Sequence, residues 1–150
     1  EVPAEETNPS VLIDDLIQNF SRADIKIKTT GEISNKLFKL KPFAIKRALE
    51  NLINNAHRYG DQILIEKKIE NNFLILSVHD DGPGINESQH DEVLQPFTRL
   101  DKSRNQNKGS SVGLGLPIAK EIAEGHGGIL KLSRSSLLSG LCVSLIIPTN

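Results

Sequence analysis

The amino-acid sequence predicts a two-layer α/β sandwich: a mixed, mostly antiparallel sheet of about five strands with three main helices on one face. Three observations predict it. Three segments carry apolar residues at helical spacing with start or stop signals. Residues 62–70 and 73–79 are apolar-rich runs joined at Asn71-Asn72, which reads as a hairpin and so as antiparallel pairing. Strands and helices alternate only partly, which argues against an all-parallel sheet.

Residues 1–7 read as a linker, and residues 8–150 as one domain. Asn8-Pro9 is a helix start, a capping amide followed by proline at the first helical position. Leu12, Ile13, Leu16, Ile17 and Phe20 follow at helical spacing. Residues 25–29 alternate like a strand, and residues 37–40 form a short second one. Pro42 opens a second helix with the apolar face Ile45, Leu49, Leu52, Ile53 and Ala56, and Gly60 ends it. After the hairpin, residues 86–95 hold a short helix. Residues 98–112 are polar and aperiodic, and a loop of that length in a small domain is usually functional. Residues 114–124 read as the third main helix, stopped by Gly125, Gly127 and Gly128. Residues 129–133 and 141–147 read as closing strands.

Composition narrows the function. At 150 residues one core can bury enough surface to hold without staples. The 18 basic and 19 acidic side chains leave a net charge of -1, so no basic field gathers nucleic acid. Cys142 is the only cysteine, which excludes an internal disulfide; in its apolar run it reads as a buried structural thiol. No run approaches the roughly 20 apolar residues of a membrane span, so no direct membrane contact is expected of this chain. The N-terminus has no signal-peptide pattern and no initiator methionine, as expected of a fragment. Tyr59 is the only tyrosine.

Three constellations carry candidate chemistry. Asn51 and Asn55 are four apart on the second helix and share a face, with Arg58 and Tyr59 on the same side. An amide oxygen can ligate Mg²⁺, an arginine can fork onto phosphate, and a ring can pack on a base. The helix face alone reads better as a solvated surface with a helix-ending tyrosine. Asp80-Asp81-Gly82-Pro83-Gly84-Ile85 follows a strand; there a carboxylate can accept from a ligand amine, and glycines let the backbone approach. Alone the tight-turn reading is at least as strong, and its oxygen ligands do not have EF-hand spacing. Gly113-Leu114-Gly115-Leu116 opens the third helix, where free N–H groups can face phosphate. It is no P-loop, because no lysine follows these glycines, and no dinucleotide fingerprint, because Ile118 stands where a third glycine belongs.

Taken in order, the three resemble the N, G1, F and G2 boxes of the histidine kinase catalytic domain. That domain belongs to the superfamily shared with DNA gyrase B, ATP-driven heat-shock chaperones and the MutL mismatch-repair proteins. Residues 45–60 resemble the N box and Asp80-Asp81-Gly82-Pro83-Gly84 the G1 box. Leu94-Gln95-Pro96-Phe97 resembles the F box, Gly113-Leu114-Gly115-Leu116 the G2 box, and His126-Gly127-Gly128 a later glycine turn. The match runs over roughly residues 8–148, and the chain is similar above all to osmosensor-type kinases of proteobacteria.

The resemblance implies a Bergerat-type sandwich that binds ATP with Mg²⁺. It implies that Asn55 ligates the metal with Asn51 nearby, that Arg58 contacts the terminal phosphates, and that Tyr59 packs on adenine. Asp80 accepts from the adenine amino group, with Gly82, Gly84 and Ile85 shaping the pocket. Phe97 belongs to the F box. The loop 98–112 becomes an ATP lid hinged by Gly113 and Gly115, flanked by Leu114 and Leu116, from which Arg99 or Arg104 reaches the γ-phosphate. Two positions depart from the pattern: Leu94 replaces the first Phe of the F box, and Ser111 the first Gly of G2.

The resemblance also implies an acceptor histidine on a separate dimerisation and phosphotransfer domain, a response regulator downstream, and a parent protein in the bacterial inner membrane with this domain cytoplasmic. His57, His79, His90 and His126 lack the acceptor's flanking motif, so the chain alone is expected to bind ATP and phosphorylate little, and without the family's dimerising phosphoacceptor helices it is expected to be monomeric. Among rivals, ATPase members of the superfamily place a glutamate four residues before the metal-binding Asn, where Asn51 stands here, with Glu50 one residue off. A serine kinase of the superfamily shares these boxes. The His126 turn and the box spacing favour the histidine kinase. A non-catalytic nucleotide- or partner-binding module has only Ser111 in its favour.

Overall fold

The computed structural model describes residues 2–95 and 115–149. In chain order the elements are β1 (Glu5–Thr7), α1 (Pro9–Arg22), β2 (Ile27–Thr30), β3 (Phe38–Leu40), α2 (Pro42–Tyr59), β4 (Ile63–Glu70), β5 (Phe73–Asp80), α3 (His90–Val93), α4 (Gly115–Gly125), β6 (Ile129–Arg134) and β7 (Leu141–Pro148). A 3₁₀ turn, Glu87–Gln89, leads into α3.

The expected linker is partly folded. β1 pairs antiparallel with β3, Glu5 opposite Leu40 and Thr7 opposite Phe38. Thr7 is buried there, and its hydroxyl donates to the Glu5 carbonyl at 2.8 Å. The expected strand at residues 37–40 therefore joins this ribbon and not the main sheet. Asn8 caps α1, its side-chain oxygen accepting from the Ser10 and Val11 N–H groups at 3.0 and 3.4 Å. Ile13 and Leu16 turn into the core.

The main sheet has the order β2-β4-β5-β7-β6. β2 runs parallel to β4, with Ile27 opposite Ile63, and every other pair is antiparallel, so the sheet is mixed as predicted. The β4–β5 hairpin turns at Asn71 and Asn72, both left-handed at φ 52° and 67°, a region asparagine tolerates better than most residues. One sheet face is apolar: Ile63 and Ile65, Leu74, Leu76 and Val78, Leu130 and Leu132, Val143, Leu145 and Ile147 are all buried. Against it pack Ile45, Ala48, Leu49, Leu52, Ile53 and Ala56 of α2 and Leu116, Ala119 and Ala123 of α4. Each large aliphatic side chain so buried contributes roughly 1.5–3 kcal/mol. This burial sets the rotation of α2 and turns Asn51, Asn55 and Arg58 to its flank.

Both helix ends are tied down. Gly60 stops α2 by donating its N–H to the Ala56 carbonyl at 2.9 Å, but with φ −137° it is extended, not a left-handed cap. Glycine is required there because a Cβ would lie 2.8 Å from the Asp81 carboxylate. Beyond α4, His126 Nε2 accepts from the Lys41 N–H at 3.0 Å, while Nδ1 donates to the Ile122 carbonyl at 2.8 Å. The imidazole thus joins the end of α4 to the start of α2.

Candidate functional site

Three segments meet at one end of the sheet: the last turns of α2, the turn after β5, and the first turn of α4. Gly82 lies so close to the Tyr59 carbonyl that any side chain would collide with it. A Cβ on Gly115 would sit 3.7 Å from both Cβ and the carbonyl oxygen of Asn51. The structure therefore brings the helix face, the Asp-Gly turn and the start of the glycine-opened helix together.

On α2, Asn51, Asn55, Arg58 and Tyr59 are half-buried, while Asn54 and His57 are exposed. Asn51 Nδ2 and Arg58 Nε are buried with no hydrogen-bond partner among the described residues. An unpaired buried donor costs about 1–3 kcal/mol, more when charged. Two such donors on one helix could bind an acceptor-rich ligand such as a phosphate chain.

At the end of β5, Asp80 is only 3% exposed. Its Oδ1 accepts from the Gly82 N–H at 2.9 Å and from the Leu141 N–H at 3.1 Å. Burial pushes the carboxyl above the ordinary carboxylate range, and these two donors pull against it. Asp81 behaves differently. Its Oδ1 accepts from the Gln62 and Asp61 N–H groups at 3.0 and 2.7 Å, and these bonds hold its carboxyl below the ordinary range. Asp81 fastens the turn to the α2–β4 link, whereas Asp80 is buried at the end of β5. Gly84 is left-handed, φ +77°, and Ile85 is half-buried against the core.

Leu116, expected at the ligand, is buried in the core, because Leu116, Ala119 and Ala123 form the inward stripe of α4. Phe97, Arg99, Arg104, Ser111, Gly113 and Leu114 lie outside the described residues. Two residues escaped the sequence reading. Leu141 supplies a backbone amide to Asp80, and Gly140 packs so tightly on Asp80 that a Cβ would collide with its carbonyl oxygen and its Oδ1. The Ser-Gly turn signal between the last two strands was the only trace of them.

Fold and site together define an ATP-binding domain of the two-layer α/β sandwich type. Residues 41–150 match the family model described as histidine kinase-, DNA gyrase B-, and HSP90-like ATPase, and the chain belongs to that family. It is 34% identical to the histidine kinase domain of the Escherichia coli osmosensor EnvZ, covering 100% of this chain and 91% of that one, with a TM-score of 0.73. It is 35% identical over 126 residues to the sensor histidine kinase GtrS of Pseudomonas aeruginosa, which covers 84% of this chain and 25% of that protein. The catalytic domain of histidine kinase ThkA shares the fold at a TM-score of 0.81 and 23% identity, over 99% of both chains. The chain spans about a quarter of the length of the sensor kinases it matches. Among the described residues no helix is long and apolar enough to cross a membrane.

Proposed function

We propose that this domain binds Mg-ATP and donates the γ-phosphoryl group to a histidine on the dimerisation and phosphotransfer domain of a two-component sensor kinase. The observation that carries the reading is Asp80, a buried carboxylate fixed by two backbone amides at the end of β5, beside the end of α2. A buried acceptor of this kind suits the amino group of adenine. Tyr59 packs against the base, and Gly82, Gly84 and Ile85 line the floor.

The residues present fit a magnesium–phosphate ligand. The unpaired donors of Asn51 and Arg58 supply hydrogen bonds to phosphate oxygens, and Asn55 between them offers an amide oxygen to the metal. Among the described residues no group of three His, Cys, Asp or Glu side chains could hold a metal ion. One amide oxygen beside phosphate-binding donors suits Mg²⁺, which keeps several waters and is usually bound through substrate phosphates and few protein groups. When bound, the ion neutralises charge on the phosphates during transfer. Arg58 holds the terminal phosphates in line, and Gly113, Gly115 and a lid arginine, Arg99 or Arg104, complete the cover. Asn51 stands where hydrolysing members carry a glutamate, which favours transfer to a protein side chain over hydrolysis. The response regulator is reached through the full-length protein, whose membrane anchoring belongs to the same proposal.

Calorimetric titration with a non-hydrolysable ATP analogue, with and without Mg²⁺, tests this beside Asp80→Asn. Replacing one acceptor oxygen by a donor should cost at least about 1.5–3 kcal/mol, or tenfold and more in affinity. No binding by folded wild-type protein would overturn the reading. Adding the phosphoacceptor domain in trans then tests transfer to histidine.

A further inference from the structure

Asp80 is held from behind. The sheet face opposite the helices carries a short chain of hydrogen bonds that ends at the β6–β7 turn, beside Asp80. Glu66 Oε1 lies 2.9 Å from His79 Nε2, and His79 Nδ1 lies 2.8 Å from Ser135 Oγ. His79 and Ser135 are each 3% exposed. Ser135 Oγ also accepts from the Leu138 and Leu137 N–H groups, at 2.9 and 3.3 Å. With both lone pairs engaged, its hydroxyl proton is left to donate to His79 Nδ1. The neutral imidazole then carries its proton on Nε2 and donates to Glu66. In this arrangement both ring nitrogens of His79 and the Ser135 hydroxyl have partners.

Ser135 also shapes the β6–β7 turn through its backbone. Its N–H donates to the Gly140 carbonyl at 2.7 Å, and its carbonyl accepts from the Ser139 N–H at 3.0 Å. The turn so closed delivers two amides to one residue: Gly140 N–H to the Asp80 carbonyl at 3.0 Å, and Leu141 N–H to Asp80 Oδ1 at 3.1 Å. Shifting the turn by a few tenths of an ångström would weaken the Leu141 bond and rotate the carboxylate.

We infer that Ser135 and His79 are positioning residues for the base: they set the β6–β7 turn whose amides aim the Asp80 carboxylate at the exocyclic amino group. The inference rests on the reading of Asp80 as the adenine acceptor. Neither side chain touches the nucleotide, since His79 points away from it on the far face of β5.

The test uses two nucleotides at mildly alkaline pH: ATP, and purine riboside triphosphate, which lacks the amino group. Wild-type protein should bind ATP more tightly. Ser135→Ala should lose about three- to tenfold in ATP affinity, the range of one hydrogen bond, and change little toward the amino-free nucleotide. Ser135→Thr, which keeps the hydroxyl, should restore the discrimination. Unchanged ATP affinity in Ser135→Ala, or equal loss toward both nucleotides, would overturn the inference while leaving the adenine reading intact. A wild type that does not discriminate would remove the adenine reading itself, and the inference with it. If Ser135→Ala does not fold, His79→Phe, which keeps a ring but removes both nitrogens, supports or overturns the inference by the same comparison.

Discussion

Asp80 and Asp81 are adjacent, yet their carboxylates are held by different segments: Asp80 Oδ1 by the Gly82 and Leu141 amides, and Asp81 Oδ1 by the Asp61 and Gln62 amides. Asp80 sits inside the fold, at a cost to the charged form. Asp81 sits outside it, stabilised by the bonds it accepts.

From this contrast comes a separation of stability from binding. Burial raises the carboxyl pKa of Asp80, so the folded protein holds a proton that the unfolded chain releases earlier. Stability therefore falls as pH rises through that window, and the deficit persists at neutral pH. Asp80→Asn removes the deficit while keeping an oxygen for the two amides. Its melting temperature at neutral pH should exceed that of the wild type, and its ATP affinity should collapse. A lower melting temperature would show that the charge itself stabilises the site.

The sign reverses at Asp81. Its folded-state pKa is depressed, so its contribution is present above the ordinary carboxylate value and is lost as pH falls through the folded value. Asp81→Asn should melt below the wild type at neutral pH, and the two curves should converge in acid. Thermal scans across the acid range read this directly. A gap that stays constant with pH would mean that the carboxylate's charge is not involved.

Gly140 supplies a steric test. A methyl group there collides with the backbone oxygen and Oδ1 of Asp80, so Gly140→Ala should cost about 1–3 kcal/mol in stability, typical of overpacking, and should weaken ATP binding as well. Gly125→Ala is the control: nothing lies within 4 Å of its added Cβ, and it should leave both quantities nearly unchanged. Equal behaviour of the two variants would show that the Gly140–Asp80 contact yields easily.

Asn51 offers the complementary case of a residue that weakens the fold. Its Nδ2 is buried and unpaired among the described residues. Asn51→Ala removes that donor and introduces the best helix former, so it should raise stability by roughly 1 kcal/mol. Mg-ATP affinity should fall in the same variant. Stabilisation without any loss of affinity would remove Asn51 from the phosphate site.

These tests involve residues that differ in how visible they were beforehand. The helix face of Asn51, Asn55 and Arg58 was legible because the stripe from Ile45 to Ala56 fixes which way α2 turns. Asp80 was legible because a strand, a carboxylate and two glycines are consecutive. Leu141 was not, because a backbone amide leaves no mark in a side-chain sequence and lies 61 residues from its partner. β1 was missed because Glu5-Glu6-Thr7 has no apolar alternation; main-chain pairing with β3 holds it. Leu116 was assigned to the ligand by its box, although its spacing to Ala119 and Ala123, three and seven residues on, already marks it as core.

The raised pKa of His79 couples the fold's stability to pH. The Cys142 sulfur, 3.7 Å from Nε2, raises the imidazole's pKa most; burial opposes it, and Glu66 at 2.9 Å raises it further. A raised folded-state pKa means that the charged pair stabilises fully below the ordinary histidine value of about 6.5, and that this contribution disappears as pH rises through the folded value. Protonation also turns Nδ1 into a donor, so Ser135 must accept there, which offsets part of the gain at the β6–β7 turn. Glu66→Gln keeps an oxygen for Nε2 but removes the charge. The melting temperatures of wild type and Glu66→Gln should therefore differ most below the ordinary histidine value and approach each other as pH rises through the folded value, because only the neutral hydrogen bond then remains in both. If the gap instead widens as pH rises, His79 is neutral throughout and Glu66 acts through its hydrogen bond alone.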